Sequence, residues 1–274
     1  MQQAQESTVE RVAPRDLADW LLARGRHWVT TDEAASLLGM PRAHVAPSLA
    51  RWIERGLFFS PTKGAYVPIP AQYRSWGAVP AAEFVDPMMR HLDHAYYVGL
   101  LSAAEIHGFA HQRPQVFQVV VDARLRARQF GRVAMSFISS RRVTERSVVR
   151  RNTPTGQLTV STIETTLFDM ASMPVHAGGL SNVATVIVEM FEDGVVHPDG
   201  LTEAASTYPV AVRQRLGWMV ETLARDAGAD VRLDGLAAGL GNASIVLLTP
   251  SQPAHGDVDA RWRVRANVEL EPDV

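Results

Sequence analysis

The chain has 274 residues, 27 Lys plus Arg against 29 Asp plus Glu, and 46% hydrophobic residues. This is the composition of two or three globular domains, not of a disordered tail or a uniformly basic nucleic-acid coat. The absence of cysteine excludes a disulfide framework, thiol catalysis and Cys-ligated zinc or iron–sulfur centres, and suits a reducing compartment.

The first seventy residues read as helices followed by a hairpin. Leu17, Trp20 and Leu21 recur at helical spacing between Asp16 and Arg24, and Gly25 is a natural stop. Thr30 with Glu33 has the spacing of a capping box, opening a helix that carries Ala34, Ala35, Leu37 and Leu38 and ends at Gly39. A turn through Met40 and Pro41 leads to a third helix, stopped by Gly56. Leu57–Phe59 and Ala65–Val67 then flank Ser60-Pro61-Thr62-Lys63-Gly64 as a short hairpin. This element order is that of a winged helix-turn-helix over residues 1–70.

A linker is expected at 71–80, before a central α/β domain over 71–175. Ser102 with Glu105 and Ser161 with Glu164 repeat the capping-box spacing. Val116–Val121 and Val133–Ile138 read as strands, as do Val143–Val149 and Leu158–Val160. Gly178-Gly179 marks a boundary to a C-terminal α/β domain over 176–274. Helices are expected there near 180–192, 200–206 and 209–227, and strands at Ala243–Leu248 and Trp262–Leu270. The fold class is therefore α+β, a winged helix followed by a mixed α/β region of one or two subdomains. No signal-peptide core lies between Met1 and Asp16, and no apolar stretch approaches the roughly 18 residues of a membrane span, so a cytoplasmic protein without a membrane partner is expected.

Charge is unevenly spread. The net balance is +1 over 1–70, +4 over 71–175 and −7 over 176–274, which assigns any polyanion to the first two parts. On the third helix, Val45, Leu49, Trp52 and Ile53 share one side, while His44, Pro47, Arg51 and Arg55 lie opposite with Ser48 at the edge. A small, Arg-bearing front fits the roughly 12 Å DNA major groove. Arg51 suits guanine readout, whereas Arg42, Arg55 and Lys63 suit phosphates, with Tyr66 beside them on the hairpin. An arbitrary helix with exposed arginines is usually only a solvated face; helix order, turn and hairpin together favour DNA. Pro47 and Glu54 oppose the simple picture, one by costing a helical hydrogen bond and the other by repelling phosphate.

Nine arginines fall between Arg124 and Arg151 with one acid, Glu145, among them. The alternation of Arg124, Arg126 and Arg128 would place three guanidinium groups on one face of an extended stretch, either to reach flanking DNA or to protect an edge with charge. His91, His94, His107 and His111 match no closed zinc signature, so no metal is assigned. Ser102 and Ser161 lack a nucleophile elbow, and no phosphate-cradling glycine motif occurs, so neither a catalytic residue nor a cofactor is assigned. Asp169, Glu189 and Glu192, in amphipathic helical contexts, read as surface charges.

Three further stretches carry a resemblance. Tyr96-Tyr97-Val98-Gly99-Leu100-Leu101-Ser102-Ala103-Ala104-Glu105-Ile106-His107-Gly108, then Ser161-Thr162-Ile163-Glu164-Thr165-Thr166-Leu167-Phe168-Asp169, and the ending Arg261-Trp262-Arg263-Val264-Arg265-Ala266-Asn267-Val268-Glu269 follow the winged-helix order. Together they resemble the AbiEi-type abortive-infection antitoxins of type IV toxin–antitoxin systems. The resemblance implies a non-enzymatic autorepressor that binds inverted repeats in its operator DNA and, through its C-terminal part, neutralises a nucleotidyltransferase-like toxin, in the founding type without a stable complex. Two rival classes are a ligand-sensing transcription factor and a winged-helix-targeted endonuclease. The endonuclease loses its customary acid–lysine pair, because the chain has no Lys after Lys63.

Overall fold

The structure is a computed structural model, and it describes residues 11–109, 114–226 and 231–272. In chain order the elements are α1 (Leu17–Leu22), β1 (Val29–Thr30), α2 (Thr31–Leu38), α3 (Arg42–Glu54), β2 (Phe58–Phe59), β3 (Ala65–Pro68), α4 (Val85–Leu92), β4 (Tyr96–Val98), α5 (Leu100–His107), β5 (Val116–Val121), β6 (Arg128–Phe130), β7 (Val133–Ser139), β8 (Val148–Thr153) and β9 (Gly156–Ser161). There follow α6 (Ile163–Ser172), α7 (Leu180–Glu192), α8 (Pro198–Ala205), α9 (Val210–Asp226), α10 (Asp234–Ala237), β10 (Val246–Leu247), β11 (Val258–Asp259) and β12 (Val264–Arg265). The fold is mixed α+β, with two three-stranded sheets and one of six strands ordered β6-β7-β5-β4-β9-β8. The chain divides into two compact units, one of residues 1–95, 126–136 and 151–158, the other of 96–125, 137–150 and 159–274.

In the first unit the small sheet is ordered β1-β3-β2, with both pairings antiparallel. The Thr30–Glu33 capping box forms in full: Glu33 N–H donates to the Thr30 hydroxyl, and the Thr30 amide donates to the Glu33 carboxylate. Gly39 closes α2 with a left-handed φ of 62°, which a side chain would resist. Val45 and Leu49 of α3 are fully buried against Leu17, Leu21, Ala34 and Leu38, with Trp52 and Ile53 half-buried beside them. That is the apolar stripe expected of this helix. The expected linker is structured instead: residues Ala71–Trp76 form a 3₁₀ helix, and Ala78 and Val79 after it are buried. The turn at Gly131 lies so close to the Trp76 carbonyl that a Cβ there would overlap it, and Phe130 packs on Phe59 and Phe84 at ring-centroid distances of 5.4 and 5.7 Å.

In the second unit β4 pairs antiparallel with β5 and parallel with β9, with Val98 opposite Val119 and Val160. Two of the three S/T-x-x-E signals act differently from their local reading. Ser102 lies inside α5, whose N-cap is Gly99, and its hydroxyl accepts from the Gln118 amide. Ser161 is the last residue of β9; the cap of α6 is Thr162, and Glu164 accepts from the His197 amide instead. Val143–Val149 is not one strand, because residues Val143–Glu145 form a 3₁₀ turn before β8 begins. The three long helices near 180–226 form where their apolar periodicity predicts, and the terminal strands are shorter than expected.

Two features lock this unit. Trp262 is fully buried, its indole N–H donates to Glu221 Oε2 at 2.6 Å, and its ring lies over Gly217 of α9, where a Cβ would overlap it. Asp169, expected on the surface, is only 2% exposed. Its Oδ1 accepts hydrogen bonds from Tyr208 (2.7 Å) and Tyr97 (3.3 Å), whereas its Oδ2 has no partner. Burial pushes the carboxyl up to about 6, against the opposing pull of both hydroxyls and the Arg146 charge.

Replacing Gly217 by Ala should therefore lower the unfolding free energy by about 1–3 kcal/mol in a urea titration, through overpacking. Because the Asp169 carboxyl titrates higher folded than unfolded, the folded state holds a proton between about pH 4 and 6 that the unfolded state has released. This component of stability is fully present at low pH and is lost as pH rises through about 6. Asp169→Asn should remove that slope from a pH series of unfolding curves.

Candidate nucleic-acid interface

The exposed side of α3 and the β2–β3 loop both belong to the first unit. Helix α3 runs unbroken from Arg42 to Glu54 with Pro47 inside it. Pro47 has no amide hydrogen to donate, and its exposed position leaves the unpaired carbonyl one turn back open to water. His44, Arg51 and Arg55 are exposed and Ser48 is half-buried. Neither Arg51 nor Arg55 has a carboxylate within salt-bridge reach among the described residues; their guanidinium carbons lie 5.8 and 5.1 Å from the Trp52 ring. Their charge is thus uncompensated. Arg42 differs, since its guanidinium donates to both Asp32 oxygens at 2.7 Å. That pair is 66% and 68% exposed, so it contributes at most ~1 kcal/mol and does not hold Arg42 away from a stronger anion.

The loop carrying Lys63 is fastened at several points. The Ser60 hydroxyl donates toward the Thr62 and Ala65 carbonyls at 2.9 Å, and the His91 ring nitrogen bonds the Lys63 carbonyl at 3.1 Å. Arg128, at the start of β6, donates to the carbonyl of buried Pro61. Lys63 itself is exposed. Two expected contact residues therefore serve packing. Tyr66 is only 6% exposed and belongs to the core under α3, because its position on β3 faces inward opposite Val29. Arg128 is half-buried, and burial lowers its guanidinium's affinity for the proton. Arg124 and Arg126 are exposed in a stretch with no regular secondary structure, Arg126 in the first unit and Arg124 in the second.

The expected histidine roles resolve individually. His107 accepts or donates at 2.8 Å with the Ser161 carbonyl, the structural bond anticipated at a helix end, and His111 lies outside the described residues. Among the described residues no helix is long and apolar enough to cross a membrane.

Sequence reasoning missed the convergence of Arg141, Arg142 and Arg146 with Asp169 and Tyr208 in the second unit. The arginine run was visible, but its carboxylate and aromatic partners lie tens of residues away and no local pattern links them.

Removing the Arg128 guanidinium leaves a buried carbonyl without its charged donor. Arg128→Ala should accordingly raise hydrogen exchange at Gly64 and Ala65 and cost about 1–3 kcal/mol of first-unit stability, while α9 amides keep their protection.

Comparison with known proteins bears on both units. The crystal structure of the RV2827C protein from Mycobacterium tuberculosis shares the fold, with a TM-score of 0.63 over 94% of each chain at 15% sequence identity. No curated protein matches the chain. Residues 97–222 match the family described as the AbiEi antitoxin C-terminal domain, within which fall the Tyr96–Gly108 stretch from its second residue onward and the whole Ser161–Asp169 motif. Over those residues the chain is similar to the AbiEi antitoxins.

Proposed function

We propose that this chain is an antitoxin that binds DNA in a sequence-specific manner and represses its own toxin–antitoxin operon. In this reading the first seventy residues are a winged helix-turn-helix, with α2 and α3 as the helical pair, α3 in the major groove and the β2–β3 loop as the wing. The observation that carries it is the pair Arg51 and Arg55. Both stand on the exposed side of a helix whose other side packs on the core, and neither is neutralised by an acid among the described residues. A guanidinium kept free of carboxylates is the donor that a guanine edge or a phosphate requires. Arg51 reads a base, Arg55 and Lys63 hold phosphates, Arg42 joins them by exchanging Asp32 for phosphate, and His44 and Ser48 complete the front. Arg126 and Arg124 are exposed cations available to flanking backbone, whereas Arg128 supports the wing from within. Inverted repeats in the operator would match two copies of the chain.

The toxin opposed is of the nucleotidyltransferase-like class, in a type IV system, and the C-terminal region acts on it. Residues 176–274, which include the end of the AbiEi-like segment, carry an excess of seven acidic charges, a sign that favours neither duplex DNA nor RNA.

Full-length variants separate the two activities. Arg51→Ala should weaken operator binding by about 1–3 kcal/mol and relax one base position, while Lys63→Ala weakens operator and scrambled duplexes alike and flattens the salt slope by about one. Fluorescence anisotropy over a salt series reads both. The double variant Arg51→Ala, Arg55→Ala should still rescue growth when co-expressed with a cognate nucleotidyltransferase-like toxin. Loss of rescue with retained folding would sink the division of labour.

A further inference from the structure

The second unit contains a cavity of about 790 Å³ that the antitoxin reading does not use. Its size is that of small-molecule sites, roughly 300–1,000 Å³. Arg141, Arg142 and Arg146 line it together with Tyr97, Asp169 and Tyr208. Two of these side chains carry buried polar atoms of opposite kind with no partner, the Arg146 Nε, a donor, and the Asp169 Oδ2, an acceptor. Such atoms are expensive to leave unmade, and native proteins hold few of them.

The rest of each group is held firmly. Arg146 sits over the Tyr208 ring with its guanidinium carbon 3.3 Å from the centroid, and it donates to the Thr207 carbonyl and hydroxyl. The other face of Tyr208 stacks on Phe168 at 4.8 Å. Tyr97 and Tyr208 both spend their hydroxyls on Asp169 Oδ1, so the carboxylate is fixed with Oδ2 left over. Arg142 is part-neutralised by Glu145 at 3.7 Å and donates to the Thr207 carbonyl at 3.1 Å. Arg141 is exposed and has no hydrogen-bond or ion-pair partner among the described residues.

We propose that this cavity binds a small phosphomonoester that also carries N–H or O–H donors, a molecule of the nucleoside monophosphate type. Three guanidinium groups against one carboxylate leave an excess of two positive charges in the lining, which a phosphomonoester of charge about −1.5 to −2 matches and a single carboxylate does not. Planar guanidinium forks suit phosphate oxygens. Both atoms are fully buried, so Asp169 Oδ2 accepts from the ligand's donor, and the Arg146 Nε–H donates to its acceptor, once the side chains around them shift on binding. The site is independent of the DNA-binding reading, since every lining residue belongs to the second unit.

Isothermal titration of the full-length chain at low salt tests this, with adenosine, guanosine and cytidine 5′-monophosphates, their nucleosides and inorganic phosphate as probes. At least one monophosphate should bind at least tenfold tighter than both its nucleoside and inorganic phosphate. Arg141→Gln combined with Arg142→Gln should weaken it at least tenfold; Arg141 is exposed and partnerless among the described residues, and the Thr207 carbonyl that Arg142 gives up keeps its bond from Arg146, so this double variant spares the fold. Asp169→Asn, if folded by circular dichroism, should also weaken it, by presenting an amide in place of an acceptor pair. Three outcomes would each overturn the proposal: no binding of any monophosphate below 1 mM, undiminished binding by the double arginine variant, or complete displacement of the monophosphate by a short DNA duplex, which would make the arginines part of a nucleic-acid surface.

Discussion

A carboxylate shut away from water has to be met by donors, and Asp169 obtains two of them from distant stretches of the second unit. Tyr97 arrives on β4, and Tyr208 arrives from the segment just before α9. Tyr208 also spans to the Thr165 carbonyl one turn earlier on α6, and Phe168 of the same helix stacks on its ring. One buried charge therefore joins a strand, the central helix α6 and the approach to the longest helix. The arrangement explains why Gly99 tolerates no side chain: a Cβ there would press on Val120, Asp169 Oδ2 and Tyr97 at once. The cost of keeping such a group dehydrated is only partly offset by the two hydroxyls and the nearby Arg146 charge.

Arginine is used in two opposite ways. In the first unit Arg26, Arg74 and Arg90 are paired with Glu33, Asp19 and Asp86, and Arg128 is committed to a backbone carbonyl, while Arg51 and Arg55 meet only the Trp52 ring. In the second unit Arg261 bridges Glu221 and Asp234 beside the buried Trp262, and Arg213 and Arg215 donate to backbone carbonyls. The chain holds a single lysine, and the planar, multiply donating guanidinium is what lets the same residue type serve as strut in one place and as an open charge in another.

What local sequence could reveal followed the range of the interactions. The Thr30–Glu33 box, the glycine stop at Gly39 and the apolar stripe of α3 involve neighbours within a turn or two, and they were legible. Ser102 and Ser161 share the same spacing, yet their hydroxyls answer to Gln118 and to Val98 and Thr166, which only the tertiary structure brings near. A strand of two residues, Val29–Thr30, is too short to leave a period. Tyr66, Arg128 and Asp169 were misplaced for one reason: an amphipathic residue's inside or outside position depends on which partner the fold supplies, and each had one far along the chain. The candidate DNA-facing residues on α3 were legible because a helix surface is set by its own period; the arginine cavity was not, because it is assembled from five separate stretches.

The first unit is not continuous in sequence. Its aromatic centre includes Phe130, and its β2–β3 loop depends on Arg128, while Thr155 donates to the Glu83 carbonyl at 2.7 Å. During synthesis, therefore, residues up to 95 emerge with part of their packing still missing, and they wait through some sixty further residues before the last of it, the 151–158 hairpin, arrives. Until Phe130 has emerged, the nascent chain carries Phe59 and Phe84 without their third ring. Such deferred contacts raise the mean sequence separation of native pairs and slow folding, and they make the early chain a substrate for chaperones before it is a folded protein.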